Sequence, residues 1–304
     1  MKYLTAQEIA RKWEMSDRRV RMLCAENKIK GATFNGDVWQ IPEDAVRPQR
    51  ENSNKKVGKA VDFESLDLLK KELNKCRPLT KGEIKRLTEE FMINFTYNSN
   101  AIEGNTLTLS ETSLVLQGIT IDKKPLKDHM EAIGHKEAFY YIVDLVKEKR
   151  EVNESVIKQI HSLVLMDQPQ DKGVYRKVPV IITGSSLTPP QPYLIEKQME
   201  DLIFDFEVWK KEKHIIEQVA LFHLNFESIH PFIDGNGRTG RLLLNLILME
   251  NGYLPVNIKF TDRKKYYDCF EKYHKKNSPK AMIELVKQLE EEQIKQYIKI
   301  IKNK

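Results

Sequence analysis

The chain has 304 residues, 40% of them apolar and 31% charged, which suffices for one large and one small folded domain and excludes disorder throughout. No run approaches the roughly 18 apolar residues of a membrane span, and the charges spread through residues 1–20 exclude a secretory leader. Three scattered cysteines without metal-ligand spacing predict a reduced, cytoplasmic protein, and most of the net charge of +6 falls in residues 1–60, with 13 Lys/Arg against 8 Asp/Glu.

In chain order, Thr5-Ala6-Gln7-Glu8 is a capping box that predicts a helix through Trp13, with Ile9 and Trp13 inward. Ser16 caps a second helix from Asp17 to about Asn27, with Val20 and Leu23 inward and Arg18, Arg19 and Arg21 outward. Asn35-Gly36 then signals a hairpin. Two helices and a hairpin make a winged helix-turn-helix pattern over residues 1–47, and the polar stretch 48–60 reads as a linker. A basic second helix suits DNA phosphates and a major groove; a protein-docking module with a solvated basic face is the alternative.

From Val61 to the end, residues 61–304, the pattern is helical. Thr80-x-x-Glu83 opens one helix, and further helices are expected over 109–117, 127–149, 153–166, 195–213, 214–229, 238–251, 262–275 and 278–302. The exception is Val178-Pro179-Val180-Ile181-Ile182-Thr183-Gly184, β-branched and followed by Pro189-Pro190, which predicts a short hairpin. The fold class expected is therefore mainly α, a helical bundle with a short β-hairpin, preceded by the small winged domain.

The chemistry concentrates in HPFIDGNGRTGR, His230 to Arg241. Pro231 stops the apolar helix that ends at His230, and Gly235 and Gly237 permit a tight turn with outward amides. A new helix follows, and a glycine turn feeding a helix N-terminus binds anions, phosphate above all. Arg238 and Arg241, three apart, can clamp further phosphates, and Asp234 offers a carboxylate to Mg²⁺. His230 at the mouth has the residue type of a general base. The other six histidines (His129, His135, His161, His214, His223 and His274) lack ligand spacing and are expected to pack in helices.

The segment resembles the Fic family signature H-x-F-x-[DE]-G-N-G-R-x-x-R at every fixed position. The resemblance covers about residues 80–275 and implies transfer of AMP from ATP to a protein hydroxyl. It implies that His230 takes the hydroxyl proton, Asp234 holds Mg²⁺, and Asn236 with the Gly235 and Gly237 amides cradles phosphates. Arg238 would meet the β-phosphate side and Arg241 the γ-phosphate. Residues Val180, Ile181, Ile182, Thr183 and Gly184 look like the family's flap, which holds a target segment by strand pairing. Ser99-Asn100-Ala101-Ile102-Glu103-Gly104 matches the family's inhibitory motif [S/T]-x-x-x-E-[G/N], implying that Glu103 pairs with Arg241 and keeps ATP in a non-productive pose. In some relatives the same glutamate position serves removal of AMP, so the direction of the reaction stays open.

Two functional classes are thus expected. One is a protein adenylyltransferase restrained by Glu103, acting on a protein substrate or on itself. The other is a DNA-binding regulator in which the large domain senses ATP or modifies its own chain. A homodimer through the large domain is compatible with the sequence.

Overall fold

A computed structural model describes residues 2–13, 15–25, 27–36, 38–48, 61–182 and 184–302; of Arg18 and Met22 it describes the backbone alone. The chain forms two compact units, Met1–Ala60 with Glu200–Lys213, and Val61–Met199 with His214–Lys304. Nearly all of the expected linker and the flap residue Thr183 lie outside the described residues.

In the first unit, strand β1 (Tyr3–Thr5) leads into helix α1 (Ala6–Trp13), followed by α2 (Asp17–Ala25), β2 (Thr33–Phe34) and β3 (Trp39–Pro42). The Thr5 capping box forms, with Thr5 N donating to Glu8 Oε2 at 2.7 Å and Glu8 N to Thr5 Oγ1 at 3.3 Å. Ser16 Oγ accepts from Arg19 N at 3.3 Å, as its capping role requires. Gly36, at φ 103°, turns the hairpin between β2 and β3. Ile9, Trp13, Val20, Leu23 and Ile41 close a small core. β1 was not expected: three residues carry no usable period, and the strand exists because it pairs antiparallel with β3, Leu4 opposite Ile41.

The second unit is helical. Its elements are α3 (Glu64–Lys75), α4 (Lys81–Ile102), α5 (Leu109–Leu116), α6 (Leu126–Glu148) and α7 (Glu154–Val164), then α8 (Ile195–Glu212), which runs from this unit into the residues grouped with the first. α9 (Ile215–Ile229), α10 (Asn236–Glu250), α11 (Arg263–Lys276) and α12 (Lys280–Lys302) complete it. Capping boxes start α4 at Thr80 and α5 at Thr108, and Asn153 caps α7. Residues 242–248 of α10 are buried on every side, as an all-round apolar helix demands, and α10 packs on α4, α6, α7 and α9. The polar residue within that buried stretch is satisfied: Asn245 Nδ2 donates to Val256 O at 3.0 Å and Oδ1 accepts from Val256 N at 2.8 Å.

The expected hairpin over 178–190 is corrected. Among the described residues that segment contains no strand, and the three strands present belong to the first unit. The β-branched run has no partner strand to pair with, and Pro179, Pro189 and Pro190 each remove a donor. The mainly helical fold class stands. Among the described residues no helix is long and apolar enough to cross a membrane.

Candidate active site

The site forms where α9 ends and α10 begins. His230, the residue after α9, adopts the left-handed conformation (φ 49°, ψ 61°) while its N–H still donates to Phe226 O at 3.0 Å. A non-glycine residue there is sterically costly and must be held by its surroundings. Gly235 (φ 73°) is the N-cap of α10, and an added Cβ would press on Val164 at 3.3 Å and His161 at 3.4 Å.

Asn236 brackets the loop with its side chain, accepting from Phe232 N and donating to Phe232 O, both at 2.9 Å. This side chain is spent on the loop, so of the expected Asn236 contribution only the backbone N–H is left to meet an anion. It also explains why α10 begins at Asn236, two residues earlier than expected. The first amides of α10 have no intrahelical acceptor, so Asn236, Gly237 and Arg238 present an anion cradle.

Both arginines sit in the core end of that cradle, their side chains 2% exposed. Arg238 pairs with Glu131 of α6 at 3.1 Å and with Asp234 at 3.4 Å. Arg241 donates from Nη2 to Glu103 Oε1 at 2.8 Å and to Ser99 O at 2.7 Å, and from Nε to Ser99 Oγ at 3.0 Å. Ser99 and Glu103 lie one turn apart at the end of α4, so one guanidinium reads both. Gly104 (φ 97°) ends that turn. The Glu103 carboxylate lies against Gly237: a Cβ there would come 2.2 Å from Oε1. The N-terminus of α10 thus already faces a negative charge. Arg238 Nε and Arg241 Nη1, both buried, find no acceptor of hydrogen-bonding geometry among the described residues.

The electrostatics follow from burial. Desolvation lowers the His230 pKa to about 4, Arg176 pushes the same way, and the Glu227 carbonyl, Glu103 and Asp234 oppose it. The ring is therefore neutral near pH 7. Glu227, one turn back with Oε2 4.0 Å from His230 Nδ1, is pushed up to about 8 by burial and stays protonated there. Burial would raise the Asp234 carboxyl, but Arg238 and the Gly235 N–H outweigh it and hold it low. Burial alone would depress Arg241; the Glu103 carboxylate and the Tyr266 hydroxyl more than compensate.

Residues that sequence reasoning did not single out hold the loop. His161 stacks on Phe232 with ring centroids 3.6 Å apart. Its Nδ1 accepts from Gly173 N at 2.8 Å, so the proton sits on Nε2, which donates to Asp234 O at 3.0 Å. Arg176, 5% exposed, donates to the carbonyls of His230 and Ile229. Glu131, Tyr266 and Glu227 complete the surroundings, and no spacing in the sequence marks any of them. His135 and His223 are core histidines as expected, bonded to Thr96 at 3.1 Å and Tyr266 at 2.7 Å. Of the described flap residues, Ile181 (92%) and Gly184 are exposed and Val180 and Ile182 half-buried, and the stretch that follows is tied to α11 where Ser186 N and Oγ donate to Glu271. Of the three arginines expected at DNA, all on α2 in the first unit, Arg21 pairs with Asp17, Arg19 is exposed, and the Arg18 side chain lies outside the described residues.

Residues 151–248 match the Fic/DOC family profile. The chain is 38% identical over 220 residues to a protein adenylyltransferase Fic of Nematostella vectensis, a match covering 69% of this chain and 50% of that protein. It is 36% identical to the protein of the same name from Culex quinquefasciatus, over 69% of this chain and 42% of the relative, so the chain spans half or less of these relatives. Among solved structures, it resembles a Fic domain containing signaling protein from Bacteroides thetaiotaomicron (TM-score 0.72, 27% identity, 79% of this chain and 97% of the other). It also resembles residues 134–508 of Fic-1 from C. elegans (TM-score 0.70, 30% identity, 79% and 72%). With the complete loop signature folded around a half-buried histidine and a helix N-terminus, this chain belongs to the Fic family.

Proposed function

We propose that the protein transfers the AMP of ATP to a hydroxyl of a protein acceptor, its own chain included, and that Glu103 restrains it. The observation that carries this reading is a neutral, half-buried imidazole at the mouth of an anion cradle that holds two buried arginines. In the step, the acceptor oxygen bonds to the α-phosphorus and the bond from that phosphorus to the bridging oxygen breaks. Pyrophosphate leaves with the electron pair, and the hydroxyl proton passes to His230. The amides at the start of α10 face the phosphates; Arg238 takes the β side and Arg241 the γ-phosphate.

Asp234 suits Mg²⁺. Among the described contacts its Oδ1 alone is engaged, by Gly235 N at 2.6 Å and by Arg238, and one carboxylate is what Mg²⁺ takes when phosphates fill the remaining positions. When bound, the ion would offset phosphate charge.

The restraint rests on the Glu103–Arg241 pair, which sets a carboxylate on the arginine that the γ-phosphate needs. Val180, Ile181 and Ile182, of which Ile181 is almost fully exposed, pair with no strand among the described residues and are left to receive an extended acceptor segment. The helix, helix and hairpin order of residues 3–42 supports a second role for the first unit, contact with DNA. Intact mass after incubation with ATP and Mg²⁺ tests the main reading: Glu103→Gly should gain AMP and the Glu103→Gly/His230→Ala double variant should not. Equal gain by both would remove His230 from the chemistry.

A further inference from the structure

Resting on the transferase reading above, we infer that Arg176 is a positioning residue that ties the acceptor-docking segment to the catalytic histidine. Arg176 is buried, and its described side-chain partners are all backbone carbonyls. Its Nε donates to His230 O at 2.8 Å and its Nη2 to Ile229 O at 3.4 Å, at the C-terminus of α9. The same guanidinium donates from Nη1 to Val178 O at 3.0 Å and from Nη2 to Pro190 O at 2.7 Å. Its own N–H donates to Pro231 O at 2.9 Å.

A guanidinium at a helix C-terminus is by itself an ordinary cap, since unpaired carbonyls and the helix dipole both favour a cation. The other half of the arrangement is not ordinary. Val178 and Pro190 are the two feet of the exposed stretch that includes Ile181, so one planar group fixes where that stretch leaves and re-enters the body. It simultaneously holds the carbonyl of a residue in strained left-handed geometry, which has to be over-determined by its neighbours to persist. An acceptor laid along residues 180–182 is thereby placed relative to the His230 ring by one rigid fork. Only arginine offers donors in that fixed spread; a lysine ammonium is a single point and cannot span both feet and the loop.

Misplacing a reacting hydroxyl by about 1 Å costs roughly 100-fold, so the signature is a fall in maximal rate rather than in nucleotide affinity. The test uses the full chain with Glu103→Gly as background, ATP with Mg²⁺ as donor, the chain's own hydroxyls as acceptor, and intact mass as readout. Arg176→Ala should lower the maximal transfer rate roughly 100-fold while the half-saturating ATP concentration stays within about threefold. Millimolar guanidinium should restore much of that rate, by refilling the vacated space. Arg176→Lys, which keeps the charge and fills the core, should still lose at least about tenfold and gain nothing from guanidinium. A rate within threefold of background for Arg176→Ala overturns the inference. So does a loss of rate and ATP affinity together that guanidinium does not reverse, the pattern of a mere structural prop. Absence of transfer by Glu103→Gly itself, with ATP still bound, would sink the transferase reading and this inference with it.

Discussion

Removing the Glu103 carboxylate should make the protein less stable and more active at once. Arg241 is 2% exposed and Glu103 34% exposed in their pair, so the bond is neither a surface ion pair nor a fully buried one. Stripping one partner from a buried pair costs about 3–5 kcal/mol. Here Arg241 keeps its bonds to Ser99 Oγ and Ser99 O, and Glu103 keeps some solvent, so about 2–3 kcal/mol is expected. For a helical unit of this size that corresponds to a fall in Tm of about 4–12 °C.

The same free energy sets the gain. If the paired state excludes the γ-phosphate from Arg241, a bias of about 2–3 kcal/mol leaves roughly one molecule in 30 to 150 competent, and Glu103→Gly should raise AMP transfer by about that factor. ATP supplies the missing negative charge, so the variant should regain more Tm on ATP addition than the wild type does. Glu103→Gln, which keeps the shape without the charge, should fall between. Intact-mass time courses at saturating ATP, with melting curves with and without ATP, read all three quantities. Transfer within about threefold of wild type, together with an unchanged ATP-induced rise in Tm, would refute the competition between carboxylate and γ-phosphate.

Three further outcomes are expected. Because burial holds His230 at about 4, transfer by Glu103→Gly should stay level from neutral pH to about pH 5 and fall only towards 4; an acid limb near 6.5 would show an exposed, ordinary imidazole. His161 is likewise lowered to about 4 by burial, so the unfolded chain binds its proton first: stability is complete above about 6.5 and is lost as pH falls towards 4, by roughly 3 kcal/mol in all. Urea melts at pH 7 and pH 5 should show that slope in wild type and a shallower one in His161→Gln. Gly237→Ala would set a Cβ 2.2 Å from Glu103 Oε1 and 3.1 Å from Arg241 Nη1, in the mouth of the cradle. Calorimetry should then find ATP binding weakened at least about tenfold, by crowding of the phosphates.

Local signals carried much of this fold. The capping boxes at Thr5 and Thr80 formed as read, and a proline after His230 and the glycine at 235 did mark the turn between two helices, whereas Gly237, expected in that turn, falls inside α10. Contacts remote in sequence were legible only where the family signature reached them. Glu103 and Arg241 are 138 residues apart, and nothing in spacing or period joins them; the resemblance did. Arg176, His161 and Glu131 had no such help, because a side chain that binds a distant carbonyl or carboxylate leaves no periodic trace. The strand at Tyr3–Thr5 and the absent strand at 178–190 err in opposite directions for one reason: a strand is made by its partner, and β-branched composition cannot report whether one is present.

The proposed restraint and the proposed chemistry draw on one physical feature, the electropositive N-terminus of α10. A helix N-terminus that attracts phosphate attracts any carboxylate within reach, and Glu103, just after α4, lies at ion-pair distance from Arg241, so on the proposed reading restraint is the resting state of this geometry. Release then needs little motion. Gly104 follows Glu103 directly, and the turn before it is fastened by Tyr267, whose hydroxyl donates to Ile102 O at 3.2 Å. Ser99, one turn back, grips Arg241 through its own hydroxyl and carbonyl and has no charge to contest with a nucleotide. Unwinding the last turn of α4, or swinging the Glu103 side chain alone, therefore frees one face of the guanidinium while Ser99 keeps it aimed at the cradle. Restraint and readiness are separable at a single side chain, which is why a substitution at Glu103 is expected to raise the rate while one at Ser99 is expected to lower it.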